Sequence, residues 1–196
     1  MRIGMFCASV LIGLLLVLCA SAAKRDKNHM DAFMPGLVGE NGLAREVRHQ
    51  LITLPYYGVF DDLAFRLDGS TVTLLGAVTQ RVLKSDAENA VKRITGVSRV
   101  INNIELLPLS PMDNQIRAAV YRAIYGDPVL SDRYGFRAVP SIHILVKSGN
   151  VVLEGVVANA MDKNIAGVRA DGVPGVFFVT NDLVAESELP KLPHRD

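Results

Sequence analysis

The sequence predicts an α+β protein of two tandem αββαβ domains, each with two helices packed on a three-stranded mixed sheet. Two observations carry this expectation. The first is an internal duplication. Residues 72–80 read VTLLGAVTQ and residues 151–159 read VVLEGVVAN. At an offset of 79, Val72, Leu74, Gly76 and Val78 fall on Val151, Leu153, Gly155 and Val157. Without a gap, Ala87, Gly96, Val97, Val100 and Asn102 then fall on Ala166, Gly175, Val176, Val179 and Asn181. One offset held over that length marks a repeat, which sets the frame for every local element. The second observation is that apolar periodicity switches between helical and alternating within each copy.

The elements of the first copy follow in order. Leu43, Val47, Leu51 and Leu54 recur at helical spacing, and Pro55 with Tyr56-Tyr57-Gly58 ends that helix. Leu63, Phe65 and Leu67 alternate with Ala64 and Arg66 as a half-buried strand, Asp68-Gly69 turns, and Val72 to Val78 returns. Ser85 with Glu88 has the spacing of a capping box and is expected to start the second helix, with Ala87, Ala90, Val91 and Ile94 as its stripe. Gly96 is expected at the left-handed cap position, and Val97, Val100, Ile101 and Ile104 give the last strand.

The second copy repeats the order. Ser110-Pro111 reads as an N-cap followed by proline at the first helical position, and Ile116, Ala119, Val120, Ala123 and Ile124 make the stripe. Ile142, Ile144 and Val146 form a strand, Ser148-Gly149-Asn150 turns, Val151 to Val157 returns, residues 161–172 are helical, and Val176 to Val184 closes the sheet. The first helices align at offset 73, so about six extra residues lie in Gly126 to Pro140, read as a loop.

Outside the repeat, Arg2, the apolar run Ile3 to Ala20 and Ala20-Ser21-Ala22 have the layout of a secretory signal peptide cleaved after Ala22. An uncleaved anchor and lipid on Cys19 are the alternatives. Both cysteines, Cys7 and Cys19, lie in this leader, so the remaining chain has no disulfide. The expected organisation is leader 1–22, linker 23–40, domains 41–108 and 109–186, and tail 187–196. Once Arg2 leaves with the leader, 20 basic residues balance 20 acidic ones, which argues against a bulk electrostatic grip on nucleic acid.

The V-x-L-x-G-x-V strand, the helix after it and the G-V-x-x-V-x-N strand resemble the BON domain, carried by Val72, Leu74, Gly76, Val78, Gly96, Val97, Val100 and Asn102 and by their partners in the second copy. The resemblance covers Asn41 to Glu186. It implies a non-enzymatic, periplasmic module that contacts phospholipid surfaces or envelope proteins and supports envelope integrity. The alternative is an assembly protein whose tandem domains display a protein-interaction surface.

Little else suggests chemistry. No H-E-x-x-H, C-x-x-C or G-x-S-x-G occurs, so no catalytic residue, metal ligand or cofactor is assigned. Gly36, Gly39 and Gly42 read as linker, and Asp61-Asp62 as part of a turn. His143 alternates with Ile142 and Ile144, so it faces away from its own core, toward solvent or a domain interface. Gly76 and Gly155 are expected to mark close approach of a crossing helix, and Gly96 and Gly175 are structural. The candidate contact is a row on the second helix of the second copy. Met161, Ile165, Val168 and Gly172 stand where the first copy carries Asp86, Asn89 and Arg93 at the positions of the last three. Such a row is either an exposed contact for lipid or a partner, or a seam against the first domain.

Overall fold

The computed structural model describes residues 30–32, 41–137 and 140–189. The leader, most of the expected linker and the end of the tail lie outside the described residues. Domain 1 is built from β1 (Met30–Asp31), α1 (Gly42–Ile52), β2 (Asp62–Asp68), β3 (Thr71–Val78), α2 (Arg81–Lys92), β4 (Arg99–Asn102) and β5 (Glu105–Leu106). Domain 2 follows with α3 (Pro111–Tyr125), α4 (Pro128–Tyr134), β6 (Ile142–Lys147), β7 (Asn150–Val157), α5 (Ala160–Asp171), β8 (Phe178–Asn181) and β9 (Val184–Ala185). A short 3-10 turn, Glu186–Glu188, runs past the expected domain boundary.

Each sheet is mixed. β2 and β3 pair antiparallel and β3 pairs parallel with β4 and then β5. β6, β7, β8 and β9 repeat that arrangement. The last strand is broken in both copies, and one side chain explains why. Asn102 donates its amide to the Lys84 carbonyl on α2 at 3.0 Å and accepts the Ile104 N–H at 3.2 Å. Asn181 does the same with Lys163 on α5 at 2.8 Å and with Leu183 at 3.4 Å. The motif asparagine therefore clasps helix to sheet and occupies the backbone donor where the strand breaks.

The apolar stripes account for the cores. Val47, Leu51, Leu63, Phe65, Val72, Leu74, Ala87 and Val91 are buried in the first, and Val120, Ile124, Ile142, Ile144, Val151, Leu153 and Ala166 in the second. Asn41 and Ser110 cap α1 and α3 by accepting from Ala44 N at 2.7 Å and Asp113 N at 3.2 Å.

Several expectations need correction. The linker 23–40 includes a strand, because Met30 and Asp31 pair with Phe65 and Ala64 on the open edge of β2 and Ala32 donates to Leu63 O at 2.8 Å. Ser85 and Glu88 do not start α2. The helix begins a turn earlier at Arg81, Ser85 donates back to Arg81 O, and Glu88 pairs with Lys92 and Asn102. Gly96 lies beyond the helix end, in a turn closed by Val97 N to Ile94 O, where its φ of 98° suits glycine. The insertion read as a loop contains α4, whose Asp127 N-cap accepts from Val129 and Leu130 with Pro128 at the first helical position.

The neighbour of Gly76 and Gly155 is a strand, not a helix. A Cβ on Gly76 would lie 2.3 Å from Asp62 O, and one on Gly155 only 2.0 Å from Ser141 O. Their φ values of 102° and 134° add a conformation that side chains rarely adopt. Each glycine lets the return strand press its backbone against the start of its hairpin partner.

The domains meet along the edge of β6. Ile144 N donates to Val59 O at 2.7 Å, and Val59 and Phe60 join the core of domain 2. His143 is buried here, stacked on Tyr57 at 5.4 Å with Nδ1 3.2 Å from Gly58 O. Burial pushes its imidazole down to about 4, so it is neutral in this seam at ordinary pH. Asp61 shapes this loop, its carboxylate accepting from Thr79 N, Thr79 Oγ1 and Gly58 N. Asp61 thus serves the turn, and Asp62 is the first residue of β2.

Candidate contact surface on the second domain

The two helices of each domain lie side by side on the sheet and leave a groove between them. In domain 1, Leu43, Glu46 and Gln50 of α1 face Arg93, Ile94 and Thr95 after α2 across a groove of about 480 Å³. In domain 2, Ala119, Arg122 and Ala123 of α3 face Val168, Gly172 and Pro174 across a groove of about 520 Å³. These are the same place in the fold. At the helix offset of 73, Glu46 and Gln50 become Ala119 and Ala123; at 79, Asn89, Arg93 and Thr95 become Val168, Gly172 and Pro174. On the α1 wall, Gln50 Nε2 donates to Glu46 Oε1 at 2.9 Å, and small apolar residues replace both on α3.

Of the predicted row, Val168 and Gly172 line this groove, and Met161 and Ile165 continue along α5 beyond it. Met161 is 67% exposed and Val168 72%, with the first domain in place. Ile165 is half-buried against the core of its own domain. The seam runs through the Val59–Phe60 loop and β6 instead, so α5 turns this row to solvent. Periodicity explains the split: Asp162, Ala166 and Ala170 face inward, and Met161, Val168 and Gly172 lie on the opposite side.

The α4 insertion positions the face. Arg133 holds Asp162 at 2.5 and 2.6 Å, and Tyr134 OH donates to the same carboxylate at 2.6 Å while accepting from Ala158 N. At the other end of α5, Arg169 binds Asp127 at 2.8 Å and, with its neighbours, holds that carboxyl below the usual range. Two charged contacts thus fix α5 at both ends, and neither has a counterpart in domain 1. The Asp127-Pro128 pair was the signal for α4 that the sequence reading passed over.

The glycine in mid-α5 has a local reason as well. Asn181 Nδ2 lies 2.7 Å from where a Gly167 Cβ would be, whereas in domain 1 the clasp amide reaches Glu88 at the same position. Gly175, like Gly96, occupies a positive-φ turn against the first helix, beside Ile116 as Gly96 is beside Leu43.

A second apolar group was not anticipated. Phe177 and Phe178 are 81% and 63% exposed at the start of β8, and the Phe177 ring covers Gly149. The first copy has Ser98 and Arg99 there, and Ser98 bonds Ser70, the counterpart of Gly149, at 2.7 Å. Offset comparison of these positions would have found it. Leu109 and Met112, also exposed, lie near the same pole, because Asp113 on the first turn of α3 accepts from Ser148 N and Gly149 N.

Nothing in the described residues gathers three or more metal-ligating side chains. No described helix is long and apolar enough to cross a membrane.

The BON domain sequence model matches residues 66–108 and 112–187, more than half of the chain and once in each copy. The chain belongs to the BON domain family. This is a family of non-catalytic binding domains, and the present member is a tandem one. The first match begins within β2, but α1 occupies in domain 1 the place of α3 in domain 2. No curated protein sequence matches the chain significantly. Among solved structures it is similar to CdsD, a structural protein of the type III secretion system of Chlamydia trachomatis, at 14% identity, covering 74% of this chain and 94% of that one with a TM-score of 0.29. A structure of the C-terminal domain of CdsD gives 14%, 76% and 98%, and a TM-score of 0.30.

Proposed function

We propose that this BON protein is a non-enzymatic module of the bacterial envelope, and that the α3–α5 face of domain 2 is where it contacts its target. The observation behind this reading is one groove with two chemistries. Glu46, Gln50, Arg93 and Thr95 in the one groove give way to Ala119, Ala123, Gly172 and Pro174 in the other, at similar size and with Arg122, Asp127 and Arg169 left as its charged residues, a change that the shared fold does not require. Exposed Met161 and Val168, with an apolar floor and the cation of Arg122 on the rim, suit the acyl-headgroup boundary of a phospholipid surface. Phe177 and Phe178 extend the apolar surface toward the pole. The leader read in the sequence supports a periplasmic placement at the membrane surface, and domain 1 serves to hold domain 2 through the β6 edge. The test is co-sedimentation with vesicles of phosphatidylethanolamine and phosphatidylglycerol. Met161→Asp with Val168→Asp should keep its melting temperature and lose vesicle binding at least tenfold. Undiminished binding by this folded variant would remove the assigned face.

A further inference from the structure

The contact face of domain 2 is complementary to itself. Met161, Ile165 and Val168 recur at i, i+4 and i+7 and form a ridge along α5. The groove beside it has a floor of Ala119, Ala123 and Gly172. A ridge next to a groove on one face is the requirement for ridges-into-grooves packing between two like helices. The contact is then isologous, the same patch serving both partners.

Charge agrees with this geometry. Arg169 turns toward α3, since it binds Asp127 at the end of that helix. Asp171 lies two residues on, roughly 200° around the helix, and so on the far flank of α5. Arg122 stands on the groove side of α3. Both are exposed, and neither has an ionic partner among the described residues. When the α5 of a second copy enters the groove across a two-fold axis, its far flank meets the α3 rim. Asp171 of each copy then faces Arg122 of the other. The formal net charge of the chain is only +1, which sets no barrier to the encounter. Domain 1 carries Glu46, Gln50 and Arg93 at its groove and has no ridge, so the contact is open to domain 2 alone.

We propose that two copies of this chain close on one another through α5, ridge into groove, with an Arg122–Asp171 pair on each side of the axis, and that this closure hides the face that binds the target. The inference rests on the preceding assignment of that face and adds its regulation: self-association and vesicle binding exclude each other.

Sedimentation velocity of the purified protein over a range of concentrations tests it. A concentration-dependent dimer is expected, and Val168→Asp should leave a folded monomer with an unchanged melting temperature. Arg122→Glu and Asp171→Lys should each weaken the dimer about tenfold, and the two together should restore it. Added phosphatidylglycerol vesicles should convert dimer to lipid-bound monomer. A wild-type monomer at every concentration, or a double charge reversal no tighter than the single ones, overturns the proposal. If the wild type is monomeric yet Val168→Asp loses vesicle binding, self-association fails and the assigned face stands. If Val168→Asp alters neither property, both fail.

Discussion

Apart from β1 in domain 1 and α4 in domain 2, the two domains share their elements, their strand order and the asparagine clasp, yet the outer faces of their helices differ in kind. Gln50 and Arg93 on one correspond to Ala123 and Gly172 on the other. A duplicated chain holds its own control: what both copies keep serves the fold, and what one copy changes at an exposed site needs another cause. Asn102 and Asn181 belong to the first class, with equivalent partners on α2 and α5. Val168, Phe177 and Phe178 belong to the second, whereas Met161 has an apolar, exposed counterpart in Val82.

The largest effect is expected at positions that both copies keep. Gly155→Val must move a backbone oxygen 2.0 Å from the new Cβ and adopt a strained φ of 134°, and Gly76→Val meets its oxygen at 2.3 Å. Each should lose about 3–5 kcal/mol, combining overpacking with backbone strain. Urea unfolding should show the greater loss for Gly155→Val. Similar, small losses at both would remove the close-approach account.

The seam gives the next effect. The folded imidazole of His143 titrates at about 4, below its ordinary 6.5. The unfolded chain therefore binds more protons between these values. The neutral form is favoured by the fold above pH 6.5, and that stability is lost as pH falls toward 4, about 3 kcal/mol in all. A stability curve measured over that window should flatten in His143→Gln. An unchanged slope would place the acid sensitivity elsewhere.

A smaller effect separates the clasps. Asn181→Ala and Asn102→Ala each remove a helix-to-sheet bond and leave a backbone donor without its side-chain partner, at about 1–2 kcal/mol. Asn102 also binds Glu88, while Asn181 lies over Gly167, so the loss in domain 1 should be the larger. Thermal unfolding of the two variants makes the comparison; a larger loss for Asn181→Ala would contradict it.

Much of this architecture was legible in the sequence because it depends on local chemistry repeated twice. Apolar spacing in Val47–Leu51 and Val120–Ile124, the Ser110-Pro111 cap and the Ser148-Gly149 turn each dictate their own element. The outward turn of His143 followed from strand alternation. What escaped depended on distant chain. Met30–Asp31 is a strand only because the β2 edge is open to it. Gly76 meets the backbone of β2 at Asp62 O rather than a helix, and spacing within one strand carries no sign of it. The Ser85–Glu88 motif misled because the same residue types also fit a helix interior, where Lys92 and Asn102 take Glu88. The contact row was visible by comparing copies, but whether it formed the seam was decided by the Val59–Phe60 loop entering the other domain.

Exchanging the two groove chemistries tests the central claim most directly. Ala119→Glu, Ala123→Gln, Val168→Asn and Gly172→Arg give domain 2 the groove of domain 1, with Glu46→Ala and Gln50→Ala as the reciprocal control. Binding to phosphatidylglycerol-containing vesicles should fall at least tenfold in the first variant at unchanged secondary structure, and stay at the wild-type level in the control. Equal binding by all three proteins would contradict the assignment of the α3–α5 face.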